Sequence, residues 1–271
     1  MTRLLSGAVL VAVAIAVVWF AHPLLFLAVA EALLVLAFVE YAKLAAAGGT
    51  PIPFAAACAA TMLTSLGVGA THWVGEQLVG TGVALDAIFI SGFVALAAIT
   101  LTTWKGERDA LARAAAAVFP MLYLGLPIGA MLAIRAQPGR EALFLLMLTI
   151  VVSDSAQYYT GRAFGRRLLA PAISPKKTIE GAAGGFVFGA LTLAVAGAWW
   201  LPRFPIGFRA LLGVALVALG VAGDLFESML KRSAGVKDSS ALIPGHGGVL
   251  DRIDSWLFAA PVYYIFVRFL A

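Results

Sequence analysis

Residues 206–255 read IGFRALLGVALVALGVAGDLFESMLKRSAGVKDSSALIPGHGGVLDRIDS, an apolar run that turns polar at Gly223 and precedes another apolar segment. Between Gly223 and Ser255 lie five of the 14 acidic residues and one of the three histidines, in a chain that is 62% hydrophobic. Charge concentrated beside apolar helices usually marks a functional site in a membrane protein. This stretch therefore predicts two membrane helices joined by a functional polar loop.

The polar half of the stretch begins with a helical spacing and continues as a loop. Residues 235–248 are rich in glycine, so their backbone N–H groups can approach an anion closely, with His246 among them. Asp251 and Asp254 follow at i, i+3, with Arg252 between them. Four side chains before the loop share one helix face, at i, i+3, i+4 and i+7: Asp224, Glu227, Ser228 and Lys231.

The residue types in this stretch indicate phosphate chemistry. Gathered carboxylates with no cysteine nearby suit a hard cation such as Mg²⁺ rather than zinc. Lysines and glycines beside such a cation suit phosphate groups. The combination is what phosphoryl or nucleotidyl transfer requires. A solvated loop between two helices would account for any one of these charges, but poorly for the whole set.

Three motifs in the stretch resemble a known family. They are Ser228-Met-Leu-Lys-Arg232, Lys237-Asp238, and the run from Pro244 to Asp254, PGHGGVLDRID. Together they resemble the C-terminal motif of the phosphatidate cytidylyltransferases, also called CDP-diacylglycerol synthases. The resemblance implies transfer of CMP from CTP to phosphatidic acid, giving CDP-diacylglycerol and pyrophosphate in phospholipid biosynthesis. It also implies a homodimer in a lipid bilayer.

A second polar region lies at residues 151–185, VVSDSAQYYTGRAFGRRLLAPAISPKKTIEGAAGG. Asp154 starts a polar helix face, and the basic loop 161–180 could bind a triphosphate. Within that loop, Ser174-Pro-Lys-Lys-Thr178 before Glu180 resembles a second element of the same family. Two alternatives stay open: the basic loop could only set topology or touch anionic lipid headgroups, and Asp154 could only join helices by hydrogen bonding.

The resemblance and the residue chemistry together give a set of expected site residues. The expected catalytic residues are Asp224, Ser228, Lys231, Lys237, His246 and Asp251. The expected substrate-binding residues are Asp154, Arg162, Ser174, Lys176, Lys177, Thr178, Arg232, Asp238, Gly247, Gly248 and Arg252. The expected ligands of Mg²⁺, with a second cation left open, are Asp224, Asp251, Asp254 and Glu227.

Composition predicts an all-α, polytopic integral membrane protein. A mean hydropathy of +0.98 with 12% charged residues excludes an ordinary soluble domain. A membrane helix takes about 20 apolar residues, and about nine segments qualify. The predicted spans are 4–20, 23–43, 52–71, 78–103, 111–134, 142–160, 181–201, 206–230 and 253–270.

The basic residues predict orientation. With the N-terminus in the cytoplasm, 14 of the 19 Lys and Arg fall on the cytoplasmic side, as the positive-inside rule expects. The loops 161–180 and 231–252 are then cytoplasmic, which fits an active site facing the cytoplasm in a bacterial plasma membrane. Nothing in the charge pattern indicates nucleic-acid binding. Cys58, the single cysteine, excludes an internal disulfide.

Two regions follow from this pattern. Residues 1–134 are expected to be mainly structural or to serve dimerisation, and residues 135–271 to form the catalytic region. Glu31, Glu40 and Asp86 are weaker candidates for a direct role, although Glu40, near a helix end beside Lys43, could simply snorkel or pair. The alternative functions are a CTP-dependent polyprenol kinase, which shares the nucleotide chemistry, and a membrane transporter.

Overall fold

The computed structural model describes residues 2–70, 85–106, 108–242 and 247–269. Ten α-helices are assigned there, with a π-helical turn, Met121–Gly125, between the fifth and the sixth. A two-stranded sheet follows the seventh helix. The helices are α1 Thr2–Phe20, α2 Pro23–Ala47, α3 Phe54–Ala70, α4 Leu85–Thr103, α5 Ala110–Pro120, α6 Leu126–Ala136, α7 Arg140–Phe164, α8 Ile179–Trp200, α9 Ile206–Ser233 and α10 Leu250–Phe269.

Within the described ranges, six helices are long and apolar enough to cross a membrane. The predicted segments 4–20 and 52–71 coincide with shorter apolar helices, Val11–Phe20 and Phe54–Gly69. The last predicted span, 253–270, corresponds to helix α10. This helix is not among the six because its first turn and Arg268 carry charges. The count of nine spans and the cytoplasmic N-terminus stay predictions. Residues 71, 78–84 and 270 of the expected spans lie outside the described residues. The six are Pro23–Ala47, Leu85–Thr103, Ala110–Ala136, Arg140–Phe164, Ile179–Trp200 and Ile206–Ser233.

The loop expected at 161–180 is more ordered than its sequence suggested. Helix α7 continues to Phe164, and an antiparallel hairpin follows, with β1 Leu168–Ala170 paired to β2 Ser174–Thr178. Thr178 then caps α8, because its side-chain oxygen accepts the backbone N–H of Gly181 at 3.1 Å. The hairpin therefore joins α7 and α8 through paired strands. Its two strands are a departure from the purely helical fold that the composition predicts.

Glycines on α8 bring this helix close to its neighbours. A Cβ at Gly181 would lie 2.8 Å from the carbonyl oxygen of Gln157, and one at Gly184 would strike the side chain of Thr160. A Cβ at Gly189 would collide with α9 at Val217. Small residues allow such close helix packing. As a result, the hairpin at the start of α8 lies against the polar ends of α7 and α9.

The start of α10 is buried against the N-terminal helices. Val249 and Leu250 belong to the same apolar cluster as Leu34, Phe38 and Tyr41 of α2, and Leu250 is fully buried. Helix α2 of the N-terminal region thus packs directly on the segment that carries the predicted site.

Candidate active site

The two polar regions meet in one cavity of about 600 Å³. Its walls come from the ends of α7, α9 and α10, from strand β2 and from the start of α8. Nine of the expected site residues line it: Asp154, Arg162, Lys176, Lys177, Thr178, Asp224, Asp251, Arg252 and Asp254.

An ion pair joins the two regions across this cavity. The Nζ of Lys177 lies 2.5 Å from Oδ2 of Asp224, although the residues are 47 positions apart in the sequence. Both side chains remain partly open to solvent. Ser228 lies one turn beyond Asp224 on α9, with its hydroxyl 3.5 Å from Oδ1. A cation from one motif and a carboxylate from the other therefore face the same space.

Lys231 lies between two buried acids. Its Nζ is 2.5 Å from Oε2 of Glu227 and also donates to Oδ1 of Asp251. The Glu227 side chain is fully buried, and that of Asp251 is 7% exposed. Lys231, expected to contact phosphate, thus balances the charge of two expected metal ligands.

Asp251 is held by the loop as well as by Lys231. Its Oδ2 accepts hydrogen bonds from the backbone N–H of Ser239 at 3.1 Å, the Ser239 hydroxyl at 2.7 Å and the Gly248 N–H at 2.8 Å. Burial opposes ionisation, but the bonds from Lys231, Gly248 and Ser239 hold the pKa of Asp251 below its ordinary value. Asp251 therefore anchors the loop.

The remaining carboxylates have the chemistry of a Mg²⁺ site. Asp154, Asp224 and Asp254 line the cavity. Their carboxylate oxygens are the donor type that a hard divalent cation prefers. Among the residues that the structure describes, however, no three acidic, histidine or cysteine side chains converge well enough to hold one ion. The Mg²⁺ expected on Asp224, Asp251, Asp254 and Glu227 stays a prediction.

Comparison with known proteins places this architecture in a family. Residues 1–270 match the sequence model of the cytidylyltransferase family. The chain belongs to the cytidylyltransferase family.

Similar curated proteins carry the name phosphatidate cytidylyltransferase. The Haemophilus influenzae protein is 49% identical over 138 residues, which is 48% of each chain. The Bacillus subtilis protein is 43% identical over 147 residues, 53% of this chain and 54% of the relative. The Thermotoga maritima protein is 38% identical over 197 residues, 69% of each chain. In its matches to the Haemophilus influenzae and Bacillus subtilis proteins, the chain spans about half of their length.

Several expected site residues lie outside the cavity of this family member. Lys237 and Asp238 are exposed on the loop after α9, and Ser174 pairs within the hairpin. Arg232 joins the two loops instead, because it donates to the carbonyl oxygens of Ile173 at 3.3 Å and Val236 at 2.9 Å. Gly247 and Gly248 lie beside Asp251 in the turn before α10, and His246 lies outside the described residues.

Three residues that hold these loops were not among the expected site residues. Glu180 accepts the backbone N–H groups of Arg166 at 3.0 Å and Arg167 at 3.1 Å, which fixes the entry to the hairpin. Glu40 and Ser239 bind each other at 2.9 Å although they are 199 positions apart. A buried acid in an apolar helix is a signal that Glu40 offered, but its partners could not be read from local spacing.

Proposed function

We propose that this protein transfers CMP from CTP to phosphatidic acid, giving CDP-diacylglycerol and pyrophosphate. The observation that carries the proposal is the meeting of Lys177 and Asp224, one from each motif, in a single cavity at the ends of apolar helices. This cavity combines cations for phosphate groups with carboxylates for a divalent cation. Membership of the cytidylyltransferase family supports the same reaction.

The reaction needs no covalent intermediate on the protein. A phosphate oxygen of phosphatidic acid attacks the α-phosphorus of CTP, and a new oxygen–phosphorus bond forms. The bond from the α-phosphorus to the oxygen that bridges to the β-phosphorus breaks, and its electron pair leaves on pyrophosphate. Catalysis of this kind rests on positioning and on stabilising charge.

The basic side chains of the cavity would stabilise the leaving group. Arg162 on α7 and Lys176 and Lys177 on β2 line the cavity together, so their charges act on the same ligand. Each well-aimed donor at a developing anion contributes a few kcal/mol, on the order of 3, to the lowering of the barrier. Arg252, in the first turn of α10, adds a fourth cation to the lining.

Mg²⁺ is the proposed cofactor, and Asp224 and Asp254 are its proposed main ligands, with Asp154 beside them. When bound, the ion would neutralise charge on the phosphates of CTP. Glu227 and Asp251 are less available in this role because Lys231 already pairs with both. Asp224 also pairs with a lysine, Lys177, but both side chains are partly open to solvent, so this pair can separate when a cation binds.

We further propose that the protein acts as a homodimer in a bacterial plasma membrane, with its active site facing the cytoplasm. Phosphatidic acid would then enter sideways from the cytoplasmic leaflet with its acyl chains in the bilayer. CTP would arrive from water onto the hairpin and the loop before α10. The concentration of basic residues in these two segments supports this orientation.

Release of pyrophosphate by the purified protein in detergent tests the proposal. The reaction is followed with CTP and phosphatidic acid, with and without Mg²⁺, and with ATP and a polyprenol as control substrates. Release that requires CTP, phosphatidic acid and Mg²⁺ together is expected. Turnover with a polyprenol but not with phosphatidic acid would replace the proposal by the kinase, and no turnover by folded protein would favour transport.

A further inference from the structure

Glu40, on helix α2, is buried outside the cavity and has a full set of hydrogen bonds. The residue is 2% exposed. Its Oε1 accepts from the Ser240 hydroxyl at 2.7 Å and the Val249 N–H at 3.0 Å. Its Oε2 accepts from the Ser239 hydroxyl at 2.9 Å and the Leu250 N–H at 2.8 Å. Each carboxylate oxygen therefore lies within hydrogen-bonding distance of two donor groups, and a buried carboxylate needs such partners.

These bonds join the two ends of the loop before α10. Ser239 and Ser240 lie at its start, and Val249 and Leu250 lie at its end, where α10 begins. The first N–H groups of a helix lack acceptors within the helix, and a negative charge there is favourable. Glu40 supplies both the acceptor and the charge from another helix, so it fixes the point at which α10 starts.

Ser239 connects Glu40 to the active site. Its hydroxyl lies 2.9 Å from Oε2 of Glu40 and 2.7 Å from Oδ2 of Asp251. A hydroxyl has a single hydrogen to share between these two carboxylates. Ser240 binds Glu40 in the same way, but no bond from its hydroxyl to Asp251 is found. The two adjacent serines thus differ in one contact that matters to the site.

Gly248 shows how closely the loop approaches Glu40. A Cβ at this position would fall on the Glu40 carboxylate and on the Ser239 hydroxyl. The backbone at residue 248 can therefore lie here only because it carries no side chain. The same Gly248 donates its N–H to Asp251, which draws the turn and the carboxylate together.

We infer that Glu40 is a positioning residue of the active site, which holds the first turn of α10 so that Asp251 and Arg252 face the cavity. The inference rests on the proposed function and extends it into the N-terminal region, which the sequence assigned to structure or dimerisation. Among the described residues that line the cavity, none is hydrogen-bonded to Glu40; the connection runs through Ser239 and the start of α10. Its effect on the reaction is therefore indirect.

Glu40→Gln is the principal test. Glutamine keeps the size of the side chain but replaces one acceptor oxygen by an NH₂ donor. One backbone N–H of the α10 start then faces a donor and loses its partner. Displacement of Arg252 should raise KM for CTP about tenfold, because a charge-assisted phosphate contact is weakened. Glu40→Asp, which keeps the charge on a shorter side chain, should recover part of this loss.

The serine pair and a surface lysine provide matched controls. Ser239→Ala removes the hydroxyl between Glu40 and Asp251, although the backbone N–H of residue 239 still binds Asp251, and should raise KM for CTP. Ser240→Ala should have a clearly smaller effect. Lys43 lies one turn beyond Glu40 on α2 and is exposed, so Lys43→Gln should leave KM for CTP and kcat at their wild-type values. The amount of folded enzyme is measured for every variant by size-exclusion chromatography in detergent.

A purely structural role for Glu40 predicts a different result. Loss of folded protein would lower the rate per milligram but leave KM for CTP unchanged, and that outcome overturns the inference. Equal effects of Ser239→Ala and Ser240→Ala would overturn it as well.

A second readout does not depend on catalysis. Trypsin cleavage after the exposed Lys237, followed by mass spectrometry, reports how firmly the loop is held. Glu40→Gln should speed this cleavage about tenfold, since proteolysis follows the population of the open loop. An unchanged rate refutes the inference even if the wild-type protein turns over no CTP, whereas wild-type inactivity alone refutes the proposed function.

Discussion

Replacement of Lys231 by methionine tests how much this lysine stabilises the protein by pairing with the buried acids Glu227 and Asp251. The Lys231 side chain is 10% exposed, and its two partners, Glu227 and Asp251, are 0% and 7% exposed. Methionine keeps most of the volume of the lysine stem but leaves two buried carboxylates without their cation. Removal of one partner from a buried ion pair costs about 3–5 kcal/mol.

This magnitude can be measured as a thermal shift. For a protein of this size, about 1 kcal/mol lowers the unfolding midpoint by about 2–4 °C, so a drop on the order of 10 °C is expected. Purified wild-type and variant proteins in detergent are heated in steps, and the fraction that stays monodisperse is measured. The variant Lys43→Met, which removes an exposed lysine, should keep the wild-type midpoint.

A double variant separates charge balance from packing. Adding Glu227→Gln to Lys231→Met removes one of the two stranded charges, while Asp251 keeps its bonds from Ser239 and Gly248. Part of the lost stability should therefore return. An unfolding midpoint of Lys231→Met within about 2 °C of the wild-type midpoint would refute the reasoning, because it corresponds to less than about 1 kcal/mol.

Three further predictions concern the cavity and its frame. Replacement of Lys176 and Lys177 by alanine should raise KM for CTP about tenfold, because two phosphate contacts are lost; an unchanged KM would return the hairpin to a role in topology. Asp224→Asn should abolish pyrophosphate release without a change in oligomeric profile, and in the wild type a chelator should stop the reaction until Mg²⁺ is restored; full activity of Asp224→Asn would disprove its role as a ligand. Gly184→Leu should lower stability by about 1–3 kcal/mol through a clash with Thr160, and a wild-type thermal midpoint would contradict the close packing of α7 and α8.

Much of the candidate site could be predicted because its signals are local. The helical spacing of Asp224, Glu227 and Lys231 on α9 is a property of consecutive residues, and the structure shows that helix. The apolar runs gave the positions of the long helices in the same way. Comparison with relatives then supported the family that the motifs had indicated.

Local patterns could not determine which charges pair with each other. The sequence placed Glu227 and Asp251 with a metal and Lys231 with phosphate, but the fold brings the lysine between the two acids. The pairing depends on how α9 and α10 pack, which is set by contacts across the bundle. The hairpin between α7 and α8 likewise depends on its position against Glu180.

The sequence by itself determined the apolar helices, the two polar motifs and the chemistry of their side chains, because these follow from composition and short-range periodicity. Tertiary structure alone decided that the motifs share one cavity and that Glu40 holds the start of α10. The bonds from Glu40 span between 199 and 210 positions of the chain. Contacts at such separation arise from the packing of whole helices, and no local pattern encodes them.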